Sequence, residues 1–302
     1  MARYVNVSSI LFSTRAVRGA KDAGGIVLKE TSDALNNMRG YRFDLIVLSE
    51  GVEAFGQTND TAEEIANPGP FLSLYLDFAA KEQCTIAGSV KIRENGRAHN
   101  SIAFVTPDGI AGVYHKTFLT EGERESGLAS GKGAVVVDTP AGSLGGAICF
   151  DLNFDMIRQG YIANKPEILC FASMYHGGLM QGLWAYQSRA YFISALPFLG
   201  GGIIDPFGRP VAISDCYTPH PRARINLDYV MVHLDKNRDH FPAIEKKYRE
   251  EVSVDIPANV GPALIVSNTE KRTAEDIVRE FGLETLDEYM ERSVKANEGN
   301  RG

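Results

Sequence analysis

Short apolar runs, set apart by turn residues and interleaved with segments of helical period, constrain this chain more than any other feature. YVNVSSI, DLIVLS, TIAGSV, SIAFV, GVYH, AVVVD, GGAIC, EILCFA and YVMVHL are rich in Val, Ile and aromatic residues and mostly bounded by Gly, Pro, Asp or Asn. That is the composition of strands. Apolar residues near a 3.6 period predict helices over 25–38, 71–80, 154–163 and 184–193. The alternation implies an α/β domain with largely buried sheets. Over 85–115 three strand-like runs follow one another across the short turns ENGR and PDGI, which predicts antiparallel hairpins and therefore mixed sheets. There is no internal repeat, low-complexity segment or clear linker. From about Val266 the chain becomes strongly charged, with a modest apolar face of Ile277, Phe281, Leu283, Leu286 and Tyr289. The expected organisation is a domain over 1–265 and a charged helical extension over 266–302. The extension reads as a surface helix pair with a frayed tail, or as an arm docked on a partner subunit.

At 302 residues the chain suits one α/β domain, or two, and buries enough surface to fold without disulfides or metals. A formal net charge of -7 argues against nucleic-acid binding, which needs clustered Lys and Arg. No run approaches the roughly 18 apolar residues of a membrane span. MARYVNVSSILFSTRAVRGA lacks a secretory core and cleavage site and reads as the first strand. Cys84, Cys149, Cys170 and Cys216 form no CxxC pair, so reduced thiols in a cytoplasmic setting are expected. Cys216 and His220 have metal-compatible spacing, but one isolated pair does not make a site, and no metal is assigned.

Three apolar runs end at residues that belong together chemically. DLIVLSE delivers Glu50, GVYHK delivers Lys116 and GGAIC delivers Cys149. In open α/β sheets, ligands bind beyond the carboxyl ends of strands. Each residue alone has an ordinary reading: an inert buried thiol, a helix cap, a solvated lysine. Together they supply a nucleophile, a base to take its proton, and a fixed cation for thiolate and oxyanion. The Phe150 amide is a natural second oxyanion donor. This chemistry requires no metal or organic cofactor.

The residues also carry a resemblance. DLIVLSEG, PGPFLSLYLDFAAKEQCTIAGS with NSIAFVTPDGIAGVYHKTFLT, DTPAGSLGGAICFDLNF, SRAYFISA and GGGIIDPFGRPVA resemble, in order, segments of the nitrilase superfamily of carbon–nitrogen hydrolases. The likeness runs from about Arg3 to Asp235. It implies a four-layer α-β-β-α sandwich with two mixed sheets, assembled as homodimers or larger. It implies Glu50 as general base, Lys116 as oxyanion stabiliser and Cys149 as nucleophile. Family members often carry a second Glu after the Lys. Glu121, Glu123 and Glu125 are available, and the spacing from Lys116 selects Glu123, with Glu125 in reserve. Asp155 replaces the family's usual Pro after the nucleophile and is expected to cap the next helix.

Met174, Tyr175 and His176, in ASMYHGG, match the family position that contributes to the substrate pocket. Trp184 reads as core or entrance lining, and Gly200-Gly201-Gly202 as close backbone packing rather than a dinucleotide loop. A rival Cys149–His176 pair, as in thiol proteases, leaves Glu50 and Lys116 unexplained. A silent binding member or a redox sensor using Cys149 is a further alternative. The expected substrate is a small molecule with an amide or N-carbamoyl group. CFD around the thiol resembles amidase-type members of the family more than the CWE often seen in true nitrilases, which favours these over a nitrile.

Overall fold

The computed structural model describes residues 2–11, 17, 20–197 and 199–300. The part of the N-terminal run over 12–16 and 18–19 lies outside them. Contacts divide the chain into two compact units: Asn6–Ala223, and the first five residues with the chain from Arg224 onward.

The larger unit contains the greater part of two six-stranded sheets. The first holds β1 (Tyr4–Ile10), β2 (Leu45–Leu48), β3 (Thr85–Glu94), β4 (Arg97–Thr106) and β5 (Gly109–His115). The second holds β6 (Val136–Thr139), β7 (Gly142–Ile148), β8 (Ile168–Ala172), β9 (Tyr191–Ala195), β10 (Gly202–Ile204) and β11 (Pro210–Ile213), in the order β11-β10-β9-β8-β7-β6. β12 (Arg222–Asn226) completes the first sheet, in the order β12-β1-β2-β3-β4-β5; the unit boundary runs through β1 and β12. Both sheets are mixed. β1, β2 and β3 run parallel and β3, β4 and β5 antiparallel; β7, β8 and β9 run parallel between antiparallel flanks. The two-residue turn Asn95-Gly96 joins β3 and β4, a sequence that suits a tight hairpin.

Helices α1 (Ala23–Asn36), α2 (Gly51–Gly56) and α3 (Pro70–Glu82) cover the first sheet. The short α4 (Glu121–Glu125) follows β5, and α5 (Asp155–Asn164) and α6 (Leu179–Ser188) cover the second sheet. The sheets face each other, with β4 and β5 against β6 and β7 and with β2 against β8 and β9. This is the expected four-layer α-β-β-α sandwich. Parallel strands covered on both faces become continuously apolar, and every residue of LIVL in β2 and ILCFA in β8 is buried. At Gly146 the sheets touch: an added Cβ would lie 2.7 Å from the Tyr114 Cβ. Gly202 admits the Ala212 carbonyl in the same way, at 2.7 Å. Trp184 is fully buried, and its indole N–H donates to the Leu152 carbonyl at 3.1 Å.

Helix bounds read from periodicity fall within two residues of α1, α3 and α5. The helix expected over 184–193 is corrected. It ends at Ser188, Arg189 turns left-handed at φ 55, and Tyr191–Ala195 forms β9. Parallel pairing with β8 and the strand propensity of Tyr, Phe and Ile override the helical spacing. Asp155 is not a cap either. Phe154 is the cap residue, and Asp155 sits at the first helical position, pairing with Arg158 at 2.8 Å.

The smaller unit is a three-stranded antiparallel sheet of β13 (Tyr229–His233), β14 (Val252–Asp255) and β15 (Pro262–Ser267), in the order β13-β15-β14. It carries α7 (Phe241–Tyr248), α8 (Ala274–Phe281) and α9 (Leu286–Glu298). Ile277, Val278 and Leu283 join Val232, Phe241, Ile244 and Ile265 in one core. The boundary expected at 265 therefore falls inside β15, and α8 is integral to this unit. On α9 only Leu286 is buried. Among the described residues no helix is long and apolar enough to cross a membrane.

Candidate active site

Glu50 lies just beyond β2, Lys116 follows β5 and Cys149 follows β7. The three strand ends meet. Lys116 is 1% exposed, and its Nζ donates to Glu50 Oε1 at 2.9 Å and to Glu123 at 2.8 Å. Glu123 comes from α4, where Thr120 forms a capping box with it: the Thr120 amide and hydroxyl donate to Glu123 Oε2 at 2.8 and 2.9 Å. Glu121 and Glu125 are exposed. Asn100, on β4, donates to both carboxylates at 2.9 Å. The Met174 amide donates to Glu50 Oε2 at 2.8 Å.

Cys149 opens a 3-10 turn (Cys149–Asn153) with φ +47, the left-handed region that costs a residue with a Cβ and recurs at functional turns. Burial pushes its thiol up to about 12, and the Glu50 carboxylate adds to the rise, while Lys116 and the Met174 amide pull the other way. Burial alone would lower Lys116. The Glu50 and Glu123 carboxylates more than offset it, and the ammonium is held above its usual range. Burial raises Glu123, but Lys116, Asn100 and Thr120 bring it below the ordinary carboxylate range. At rest the site holds a neutral thiol beside a cation that is shared by two carboxylates.

Asp151, fully buried, ties the strand ends together. Its Oδ1 accepts from the amides of Thr117 at 3.2 Å and Phe118 at 2.7 Å, and its Oδ2 from the Ile148 amide at 3.1 Å and the Tyr114 hydroxyl at 2.8 Å. Burial pushes this carboxyl up to about 7 against those donors.

The thiol opens on a cleft of about 320 Å³ lined by Glu50, Glu53, Lys91, Lys116, Glu123 and Met174 among others. Lys91 pairs with Glu53 at 2.5 Å and donates to the Gln57 carbonyl at 3.1 Å. Burial still raises Glu53 to about 7. Phe150 is exposed and packs edge-on against Phe154. The Tyr175 hydroxyl accepts from Asn153 at 3.2 Å. His176 lines a different cavity, with Gln181, Gly200 and Ile213. Of the four residues expected to bind substrate, Met174 is the one in the lining of the Cys149 cleft.

Sequence reasoning missed Asn100, Thr120, Asp151, Glu53 and Lys91. Asn100 opens NSIAFV and Asp151 sits in CFD, inside segments already singled out. Thr120, three residues before Glu123, is a capping-box signal. Nothing in the sequence pairs Lys91 with Glu53, because a helix and a strand bring them together.

A family model for carbon-nitrogen hydrolases matches residues 26–214, and the chain belongs to that family. It is 30% identical over 137 residues to Nitrilase 1 of Arabidopsis thaliana, covering 44% of this chain and 39% of that protein. It is 25% identical over 214 residues to the chloroplastic omega-amidase of the same plant, covering 60% and 56%. The chain thus spans only about half the length of these curated relatives. Among solved structures, Nit3 of Saccharomyces cerevisiae, a member of branch 10 of the nitrilase superfamily, superposes with a TM-score of 0.64 at 15% identity, covering 82% of this chain and 95% of that one. A carbon–nitrogen hydrolase superfamily protein from Xanthomonas campestris gives 0.63 at 20% identity, covering 81% and 97%. At these identities the structural likeness establishes the fold.

Proposed function

We propose that the chain hydrolyses a non-peptide carbon–nitrogen bond, in an amide or N-carbamoyl small molecule, through a thioester on Cys149. The observation that carries this reading is the convergence of a thiol, two carboxylates and a buried ammonium on one cleft. Glu50 takes the thiol proton as sulfur attacks the carbonyl carbon. Lys116 and the Phe150 amide stabilise the oxyanion. The C–N bond breaks, and Glu50 passes its proton to the departing ammonia or amine. A water deprotonated by Glu50 then attacks the thioester; the acid leaves and the thiol is restored. Glu123 holds Lys116 in place and balances its charge. Met174, in the cleft lining, contacts the acyl group; Tyr175 and His176, the latter lining a separate cavity, are kept as candidate specificity residues. No cofactor takes part in these steps.

Nitrile hydrolysis is the second reading, favoured by the likeness to Nitrilase 1. We also infer a cytoplasmic protein, from four free cysteines, assembled as a homodimer or larger. The exposed Met156 on α5 and Leu179 on α6 support assembly. An ammonia-release screen over primary amides, N-carbamoyl compounds and nitriles tests the activity, with Cys149→Ala as control. Full activity in that variant would sink the mechanism; nitriles outrunning amides would reverse the order of the two readings.

A further inference from the structure

The hairpins β3-β4-β5 carry a cluster that the hydrolytic chemistry does not use. Glu94 ends β3, His99 lies on β4 and His115 ends β5. The registers Ile92↔His99 and Ser101↔His115, with side chains alternating along each strand, place all three on one face of the sheet. Asn100 points to the opposite face, toward Glu50. One oxygen or nitrogen from each of the three residues lies within 4.8 Å of the others. His115 Nε2 is 3.5 Å from Glu94 Oε2.

Both imidazoles are prepared as ligands. His115 Nδ1 lies 2.7 Å from Ser101 Oγ; with the proton on that nitrogen, the Nε2 lone pair faces Glu94. The Ala129 backbone bonds the His99 ring, yet His99 Nδ1 has no hydrogen-bond partner among the described residues although His99 is only 8% exposed. Outer hydrogen bonds of this kind orient metal-binding histidines. Burial lowers both rings. The rings stack 4.2 Å apart.

We infer that Glu94, His99 and His115 form a site for a divalent transition metal of the Zn²⁺, Co²⁺ and Ni²⁺ class. Two imidazoles and one carboxylate suit that class, with solvent in the fourth position. Bonds of about 2.1 Å place tetrahedral ligand atoms roughly 3.4 Å from one another, close to the 3.5 Å that already separates His115 Nε2 from Glu94 Oε2. Arg97 and Lys132 stand near His99 and His115 and oppose a cation, so binding depends on the Glu94 charge. The metal would join β4 to β5 immediately before Asn100 and Lys116.

Co²⁺ titration in a Cys149→Ala/Cys216→Ser background, which removes two competing thiols, tests the site. The expected result is a visible d–d band saturating at one Co²⁺ per chain, reversed by Zn²⁺. Glu94→Ala, at an exposed position, should weaken binding by about tenfold or more. His99→Gln with His115→Gln should abolish it with unchanged far-UV circular dichroism. No saturable band, or undiminished affinity in Glu94→Ala, overturns the assignment. If the double histidine variant does not fold, Glu94→Ala alone decides.

Discussion

Cys149 is held in a left-handed backbone conformation with its thiol pushed up by burial, so in the proposed reaction the proton has to leave as sulfur attacks. The neutral thiol follows from burial and from Glu50. Removing the Glu50 charge should therefore make the free thiol more acidic even as turnover is lost. Alkylation of Cys149 by iodoacetamide should begin at lower pH in Glu50→Gln than in the wild type, and at higher pH in Lys116→Met. The same order of onset in all three proteins would contradict the charge assignment. Turnover should fall on the order of 10²- to 10³-fold in Lys116→Met, with the loss in kcat and the circular dichroism unchanged. Asp151→Asn should cost roughly 10²-fold in kcat, because it displaces the strand ends rather than removing a reacting group.

At the scale of elements, the site depends on two sheets approaching closely behind it. Gly146→Ala places a methyl against the Tyr114 side chain, and overpacking there should destabilise the protein by about 1–3 kcal/mol, measured by urea denaturation. The approach also marks where sequence reading stops. Glu50, Lys116 and Cys149 were legible because each terminates an apolar run, and the hairpins because ENGR and PDGI carry turn chemistry. Asn100 and Asp151 were not, because most of their partners come from other elements of the fold and their own residue types are common in turns. The segment WAYQSRAYFI misled: its spacing fits a helix, and parallel pairing with β8 makes its last residues part of the strand Tyr191–Ala195.

For the molecule as a whole, burial of Glu53 links folding to pH. Its carboxyl is raised in the folded state from 4.5 to about 7, so the folded chain binds the proton more tightly than the unfolded one. The stability this adds is complete below about 4.5 and is lost as pH rises toward 7. The wild-type Tm minus that of Glu53→Gln should fall across that window and level off above it; a constant difference would place the charge elsewhere. Light scattering should give a multiple of the 33.0 kDa chain mass, at least two, and a mass of one chain would exclude the assembly inferred above.

One carboxylate, Asp151, receives the backbone N–H groups of Thr117 and Phe118, in the loop after β5, and of Ile148, at the end of β7. Such a pin makes local opening collective. In hydrogen exchange these three amides should share a single opening free energy, and in Asp151→Asn all three should lose protection together while amides deep in β8 keep theirs. The lysine loop and the thiol turn would then breathe as one unit, so that thermal motion shifts the Lys116 ammonium and the Cys149 thiol together and leaves their spacing intact.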